Sequence, residues 1–162
     1  MKYLFLALSS FLAVAVQMIA SDIFSLFGLL DIALIPVAWW AVYHSRVQAL
    51  FFGSFTGLLL DYTLGWPLGY NGFGLTLAVF VIGQSWDRFN TGEQPLVRFL
   101  ILAAASLSNS LSMFFLFWIM QRTVNRIFIG STVLQALITA GAGFIFFIVF
   151  ERYKRNQALK AQ

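Results

Sequence analysis

The chain has 162 residues, of which 60% are apolar and 10% are charged, and its formal net charge at pH 7 is +4. A soluble domain carries about 25% charged residues and could not hide this much apolar surface from water, so the composition predicts a single-domain integral membrane protein. The absence of cysteine excludes disulfides and thiolate chemistry, and the positive charge needs no nucleic acid as partner, because basic residues beside a bilayer fix orientation and contact anionic membrane lipids.

Six apolar runs each approach the length of about 20 residues that crosses a hydrocarbon core. They predict an all-α transmembrane domain over residues 1–162, with helices at about 3–20, 27–43, 47–64, 68–86, 96–120 and 132–150, and a basic tail over 151–162. With the N-terminus in the cytoplasm, eight of the ten Lys and Arg residues lie inside, and Arg122 and Arg126 lie outside. This bias predicts an N-in, C-in topology.

The first helix begins like a secretory signal. Lys2 precedes an apolar run in which Ala13-Val14-Ala15 has the pattern of a cleavage site. The run stays apolar beyond that site, however, and its length of about 18 residues exceeds the core of a usual signal. We therefore expect a retained helix, with one polar residue, Gln17, deep in its outer half.

The second helix carries several positional signals. Asp31 lies in its first turn or just before it, where the helix dipole and the outer interface favour a hydrated carboxylate. Pro36 removes a backbone donor and predicts a kink. Trp39 and Trp40 are typical of the inner aromatic belt, and His44 is expected to be a solvated residue of the inner turn.

The third helix contains the most regular pattern in the chain. Glycine or aspartate recurs at every fourth position, at Gly53, Gly57, Asp61, Gly65 and Gly69. Residues four apart share one face of a helix, so these positions form a stripe of small residues that ends in an acid. Because Pro67 disfavours helix before it, we predict a helix to about residue 64 and a tight outer turn over 65–69 into the fourth helix.

The stripe and its acid allow alternative roles. The Gly53-x-x-x-Gly57 spacing predicts close helix packing, either within the chain or against a partner protein. Asp61 could accept hydrogen bonds from nearby backbone N–H groups, pair with Arg122 or Arg126, or have a direct functional role. A proton-sharing pair with Asp31 is disfavoured, because both acids are expected to stay hydrated at loop edges.

The fifth helix has a polar face formed by Ser106, Asn109 and Ser110, which could line a small-molecule pocket or make interhelical hydrogen bonds. Conventional catalytic arrangements are not predicted. His44, the single histidine, is expected to lie about 30 Å from Asp61, across the bilayer. No serine has a base on its side of the membrane, and too few His and acidic residues converge to hold a metal cofactor.

The stretch GSFTGLLLDYTLGWPLGYNG resembles the signature of the rod shape-determining MreD family, in which spaced glycines precede an Asp, a Gly and a Leu-Gly turn. The corresponding positions here are Gly53, Gly57, Asp61, Gly65, Leu68 and Gly69. Two positions depart from the family pattern, Asp31 and Asn109. The resemblance extends over most of the chain, although only about 20 residues are specific to it.

The resemblance implies a non-catalytic scaffold in the bacterial inner membrane that supports cell shape and lateral peptidoglycan synthesis. MreD-like proteins bind MreC and, through it, act with the MreB filament, RodA and a class-B penicillin-binding transpeptidase. Their fold is thought similar to that of the substrate-binding S components of energy-coupling-factor vitamin transporters, which supplies an alternative function. The first helix lacks the Ala-x-x-x-Ala pair that such transporters use to dock a coupling subunit, since Ala13 is followed by Gln17.

Overall fold

The computed structural model of the protein describes residues 2–23, 30–89, 95–120 and 127–160. The predicted all-α class is confirmed, because these residues form six helices. In chain order they are α1 (Lys2–Ile23), α2 (Leu34–Tyr43), α3 (Arg46–Leu64), α4 (Tyr70–Arg88), α5 (Pro95–Ile119) and α6 (Ile127–Lys160).

Three segments among the described residues are long and apolar enough to cross a membrane, namely Arg46–Leu64, Leu96–Ile119 and Val133–Phe150. Even the shortest, at 18 residues, extends about 27 Å at about 1.5 Å per residue, close to the thickness of a hydrocarbon core. Large apolar side chains are exposed along these helices, among them Phe51, Phe55, Leu100, Leu111, Ile145 and Val149. Such a surface suits lipid, and a multi-pass membrane protein is the architecture that fits it.

Helix α4 lies at the centre of the bundle, where it packs between α3 and α5 and also contacts α2. Helix α6 packs against α5 and also contacts α2. The core between them is apolar and includes the fully buried side chains of Phe52, Leu75, Ile82 and Phe147. This arrangement brings one end of α4 close to the ends of α2, α3 and α5, where the polar residues described below lie.

The start of α2 differs from the prediction. The helix begins at Leu34 rather than near residue 27, residues 30–33 are not helical, and residues 24–29 lie outside the described part of the chain. Pro36 is therefore the third residue of α2. The first four N–H groups of a helix have no intrahelical partner, so proline removes no hydrogen bond there, and the reason for the predicted kink does not apply.

The turn between α2 and α3 also differs from its prediction. The side chain of Trp40 is 4% exposed and belongs to the core rather than to an interfacial belt. The ring of His44 is half-buried and stacks on the Trp40 indole, with 3.7 Å between ring centroids and 7° between planes. The expectation of a solvated histidine is wrong, because the imidazole covers one face of a buried aromatic ring.

Helix α6 is longer than predicted. It was expected over 132–150, but it begins at Ile127 and continues without a break to Lys160. The basic tail is thus part of the same helix. The ten residues after Phe150 add about 15 Å to the segment that is apolar enough to span a membrane.

We expect the two ends of α3 to lie on opposite sides of the membrane. The chain contains no cysteine, so single-cysteine variants can be labelled without further changes. Ser45 and Leu68 are both exposed and lie beyond opposite ends of α3. In intact cells a membrane-impermeant maleimide should label Leu68→Cys and leave Ser45→Cys unlabelled until the membrane is permeabilised. Labelling of both in intact cells would contradict a spanning α3.

Candidate functional site

The carboxylate of Asp61 joins the end of α3 to the start of α4. The side chain is fully buried. Its Oδ2 atom accepts hydrogen bonds from the backbone N–H of Gly69 at 2.8 Å and of Gly72 at 3.3 Å, and its Oδ1 accepts from the backbone and side-chain nitrogens of Asn71, both at 2.9 Å. These backbone donors belong to the first turn of α4, which intrahelical bonds leave unsatisfied. One carboxylate therefore caps a neighbouring helix rather than its own.

The turn between the two helices depends on glycine at two positions. Gly65, at the C-terminus of α3, has a φ of 65°, and Gly69, before α4, has a φ of 105°. Side chains with a Cβ rarely adopt these left-handed values, so each glycine allows a change of chain direction that other residues would resist. The backbone N–H of Trp66 also bonds the carbonyl of Asp61 at 2.9 Å. The predicted turn over 65–69 is confirmed.

The glycine stripe packs α3 against α4. A Cβ placed on Gly57 would lie 2.5 Å from the carbonyl carbon of Asn71 and 2.5 Å from the Cα of Gly72. A Cβ on Gly53 would lie 2.9 Å from the Val79 side chain. Of the two interpretations of Gly53-x-x-x-Gly57, the structure shows packing within the chain, with the two backbones in contact at Gly57. We name residues 46–88, that is α3, the turn and α4, the hairpin.

These contacts distinguish among the predicted roles of Asp61. Its expected acceptance of backbone N–H hydrogen bonds is confirmed, and its expected hydration is wrong, since the side chain is buried. Arg122 and Arg126, the predicted ion-pair partners, lie outside the described residues. The carboxylate that the sequence singled out is engaged in holding the hairpin together.

Asp31, which the sequence placed at a hydrated interface, is also buried, with 7% of its surface exposed. Its Oδ2 accepts a 2.6 Å hydrogen bond from the side-chain amide of Asn109 on α5, and its Oδ1 accepts one of 3.2 Å from the N–H of Leu34. Its own backbone N–H donates to Thr139 of α6 at 3.1 Å. Asp31 thereby ties the start of α2 to α5 and α6, and it makes no hydrogen bond with Asp61.

Gln17 of α1 completes this network. Its amide nitrogen donates to the carbonyl of Leu30 at 2.8 Å, and its amide oxygen accepts from the N–H of Ile32 at 2.6 Å. Residues 30–32 are not helical, so these backbone groups need partners from elsewhere. Sequence analysis noted Gln17 for its position and did not identify this role. Thr139 carried no signal at all.

A polar cavity of about 270 Å³ lies beside Asp31, at the end of the bundle that carries the α3–α4 turn. Side chains from all parts of the chain line it: Gln17, Asp31, Leu60, Leu64, Trp66, Asn71, Asn109, Ser110, Met113 and Gln135. Asp61 is not among them. The buried acid that borders open space is therefore Asp31, whereas Asp61 is enclosed by its hydrogen-bond donors.

The predicted polar face of α5 is buried as a whole, since Ser106, Asn109 and Ser110 are each at most 4% exposed. Its members have different surroundings. Asn109 makes an interhelical hydrogen bond and also lines the cavity, and Ser110 lines the cavity, whereas Ser106 does not. The predicted interhelical hydrogen bond is thus confirmed at Asn109, and the small-molecule pocket stays a prediction. Asp31 and Asn109, the two positions that depart from the MreD pattern, contact each other.

The chain matches no protein-family model, no curated protein and no solved structure. Its resemblance to the MreD family stays a prediction, and the residues most specific to that resemblance lie in the hairpin. The contacts of those residues show what they do locally, which is to fix two helices and the turn between them.

We expect Gly57→Ala to lower stability by about 1–3 kcal/mol, because the new methyl group meets backbone atoms of α4 that cannot move aside. Gly141→Ala is a matched control within α6, where a Cβ meets nothing within 4 Å. Alanine is the better helix former, so this variant should be as stable as the wild type or slightly more so. Thermal unfolding in mild detergent measures both. Equal melting temperatures for the two variants would contradict the close approach at Gly57.

We expect Asp61→Asn to lower stability by about 1.5–3 kcal/mol, because an amide group replaces one acceptor oxygen and faces N–H donors. Tyr62→Phe is the control, since the neighbouring side chain is exposed. The same unfolding measurement applies. An unchanged melting temperature for Asp61→Asn would mean that the charge contributes nothing to the cap.

Proposed function

We propose that the protein is a non-catalytic scaffold of the bacterial inner membrane that binds MreC, as MreD-like proteins do. Through MreC it would act with MreB, RodA and a class-B penicillin-binding transpeptidase in cell-shape maintenance and lateral peptidoglycan synthesis. The proposal includes an N-in, C-in arrangement, which puts the α3–α4 turn on the outer face. The length of α4, equal to that of α3, and its position between α3 and α5 support its inclusion as a span.

The observation that carries the proposal is that different residues of the hairpin motif pack the helices, shape the turn and remain exposed. Gly53, Gly57 and Asp61 are buried in contact between α3 and α4, and Gly65 and Gly69 shape the turn. Leu68 alone has its side chain directed outward, with 69% of its surface exposed. A motif that fixes a turn and leaves one apolar side chain at its tip suits a docking element for another protein.

Exposed apolar surface at the turn is not confined to Leu68. Leu64 and Trp66 are 42% and 39% exposed on either side of Gly65. The Trp66 ring packs edge-on against Phe117 of α5, with 5.8 Å between centroids, which limits its motion. A partner would therefore meet a surface that is already ordered, and the entropy lost on binding would be small. We infer that MreC contacts this surface.

The experiment is affinity purification of the tagged protein from mild detergent, with quantification of the MreC that remains bound. We expect Leu68→Ala to lower the yield of MreC several-fold without lowering the melting temperature, because the side chain makes few contacts within the chain. Leu111→Ala is the control, since Leu111 is an equally exposed leucine on α5. If Leu68→Ala and the wild type retain equal amounts of MreC, the inference that MreC contacts the α3–α4 turn is contradicted.

The polar cavity favours one second candidate, a substrate-binding S component of an energy-coupling-factor vitamin transporter. Its lining of amides, a hydroxyl and a carboxylate beside apolar side chains is typical of a small-molecule site. The same purification distinguishes the two functions. Recovery of a membrane coupling subunit with ATPases, in place of MreC, would reject the scaffold. Location of the gene for this protein beside the genes for MreB and MreC would support the scaffold function.

A further inference from the structure

Among the described residues, the lining of the cavity at the outer end of the bundle has a single ionisable group, the carboxylate of Asp31. The other polar lining groups are neutral: the amides of Gln17, Asn71, Asn109 and Gln135 and the hydroxyl of Ser110. No lysine, arginine or histidine borders the space among the described residues. The described lining thus contains one carboxylate and no cationic group.

The hydrogen bonds of Asp31 leave part of its acceptor capacity unused. A carboxylate can accept about four hydrogen bonds. Asp61, enclosed in the hairpin, accepts four, whereas Asp31 accepts two from the described residues, both from neutral donors. A buried charge without a cationic partner is costly, and Asp31 lines the open space of the cavity. The site is therefore complementary to a cation that also donates hydrogen bonds.

We propose that this cavity binds the primary ammonium group of a small free amine, with Asp31 as its counter-ion. An ammonium group carries three N–H donors. One would bond Asp31, and the Ser110 hydroxyl and the side-chain amides of Asn71 and Gln135 carry acceptor oxygens for the others. Leu60 and Met113, which also line the cavity, provide an apolar surface for a short carbon chain. The volume of about 270 Å³ falls below the roughly 300–1,000 Å³ of sites for drug-sized ligands, so the amine is small.

The lining disfavours other classes of ligand. An anion would meet Asp31 with no cation to balance it. A divalent metal ion would need further acidic or histidine ligands, and no group of three such residues converges among the described residues. The headgroup of an aminophospholipid has a phosphate beside its amine, and the described residues of the lining offer that phosphate no positive charge. A free amine satisfies both the charge and the donor requirement.

The test uses the full chain in nanodiscs of phosphatidylcholine, a lipid without N–H donors in its headgroup. Isothermal titration calorimetry at about pH 8, where a primary amine is still protonated, would measure binding of n-butylammonium chloride. Butan-1-ol, butyrate and sodium chloride are the matched probes for chain, opposite charge and inorganic cation. We expect saturable binding of the amine alone. Equal heats from butan-1-ol or from sodium chloride would overturn the proposal.

Two variants locate the site. Asp31→Asn keeps the shape of the side chain and removes its charge, and it should bind the amine roughly ten-fold more weakly or not at all, since charge-assisted hydrogen bonds are about twice as strong as neutral ones. Ser110→Leu leaves the hydrogen bonds of Asp31 intact and fills the cavity, so it should also abolish binding. Leu111→Ala, adjacent in sequence but exposed, should bind as the wild type does. Wild-type affinity in Ser110→Leu would place the amine elsewhere.

Replacing phosphatidylcholine with phosphatidylethanolamine tests whether the ligand is a free solute. An unchanged apparent affinity for n-butylammonium supports a free amine, and a clear fall would show that the lipid headgroup competes and would overturn that part of the proposal. The measurement involves no partner protein. Its failure would therefore leave the MreC scaffold unaffected, and loss of MreC binding would leave the amine site unaffected.

Discussion

The hydrogen bonds from the start of α4 to the Asp61 carboxylate are the interaction on which the rest of the bundle depends. An ionised aspartate at the centre of a membrane span costs about 2.5–3.5 kcal/mol on insertion scales. Asp61 lies in the last turn of α3 and is fully buried. Its burial is tolerated because four N–H groups surround it, and three belong to backbone that would otherwise lack partners. The carboxylate oxygens gain hydrogen-bond donors, and the N–H groups at the start of α4 gain an acceptor. Helix α4, which contacts α2, α3 and α5, is thereby placed along α3.

The two buried acids of the protein illustrate how different surroundings give one residue type different capacities. Asp61 is closed in by glycine backbone, and its acceptor positions are filled. Asp31 is held by Asn109 and Leu34 and borders a cavity. Asp61 therefore stabilises the hairpin. Asp31 joins α2 to α5 and also lines a cavity. Asp31, which accepts only two hydrogen bonds from the described residues, is therefore the acid suited to bind a ligand.

Local patterns explain why the hairpin could be predicted from the sequence and the Asp31 network could not. The contacts of Asp61 reach residues 8 to 11 positions along the chain, so the spacing of glycines, acid and proline was sufficient. Asp31 contacts Asn109 and Thr139, which lie 78 and 108 positions away. Hydrophobic periodicity does not report which distant helices meet. Sequence reasoning consequently weighted Asp61 as the informative acid and left Asp31 at a hydrated edge.

The same limitation accounts for the misplaced start of α2. Residues 30–33 are as apolar as a helix would require, except for Asp31, and their pattern predicts its continuation. Their backbone groups instead bond Gln17 and Thr139 side chains from α1 and α6. Side chains that compete for backbone hydrogen bonds can override local helix propensity, and these two came from distant parts of the sequence.

The Asp61 cap has a consequence for how the chain enters the membrane. During insertion, α3 alone would carry a carboxylate whose donors are still to be synthesised, because they lie in the first turn of α4. Once the residues to Gly72 have emerged, the carboxylate and the N–H groups can form hydrogen bonds, so neither faces lipid without a partner. The two helices are thus expected to leave the insertion machinery together, as a pair already folded at its turn. Biogenesis, as well as the final structure, would then select for an acid at this position.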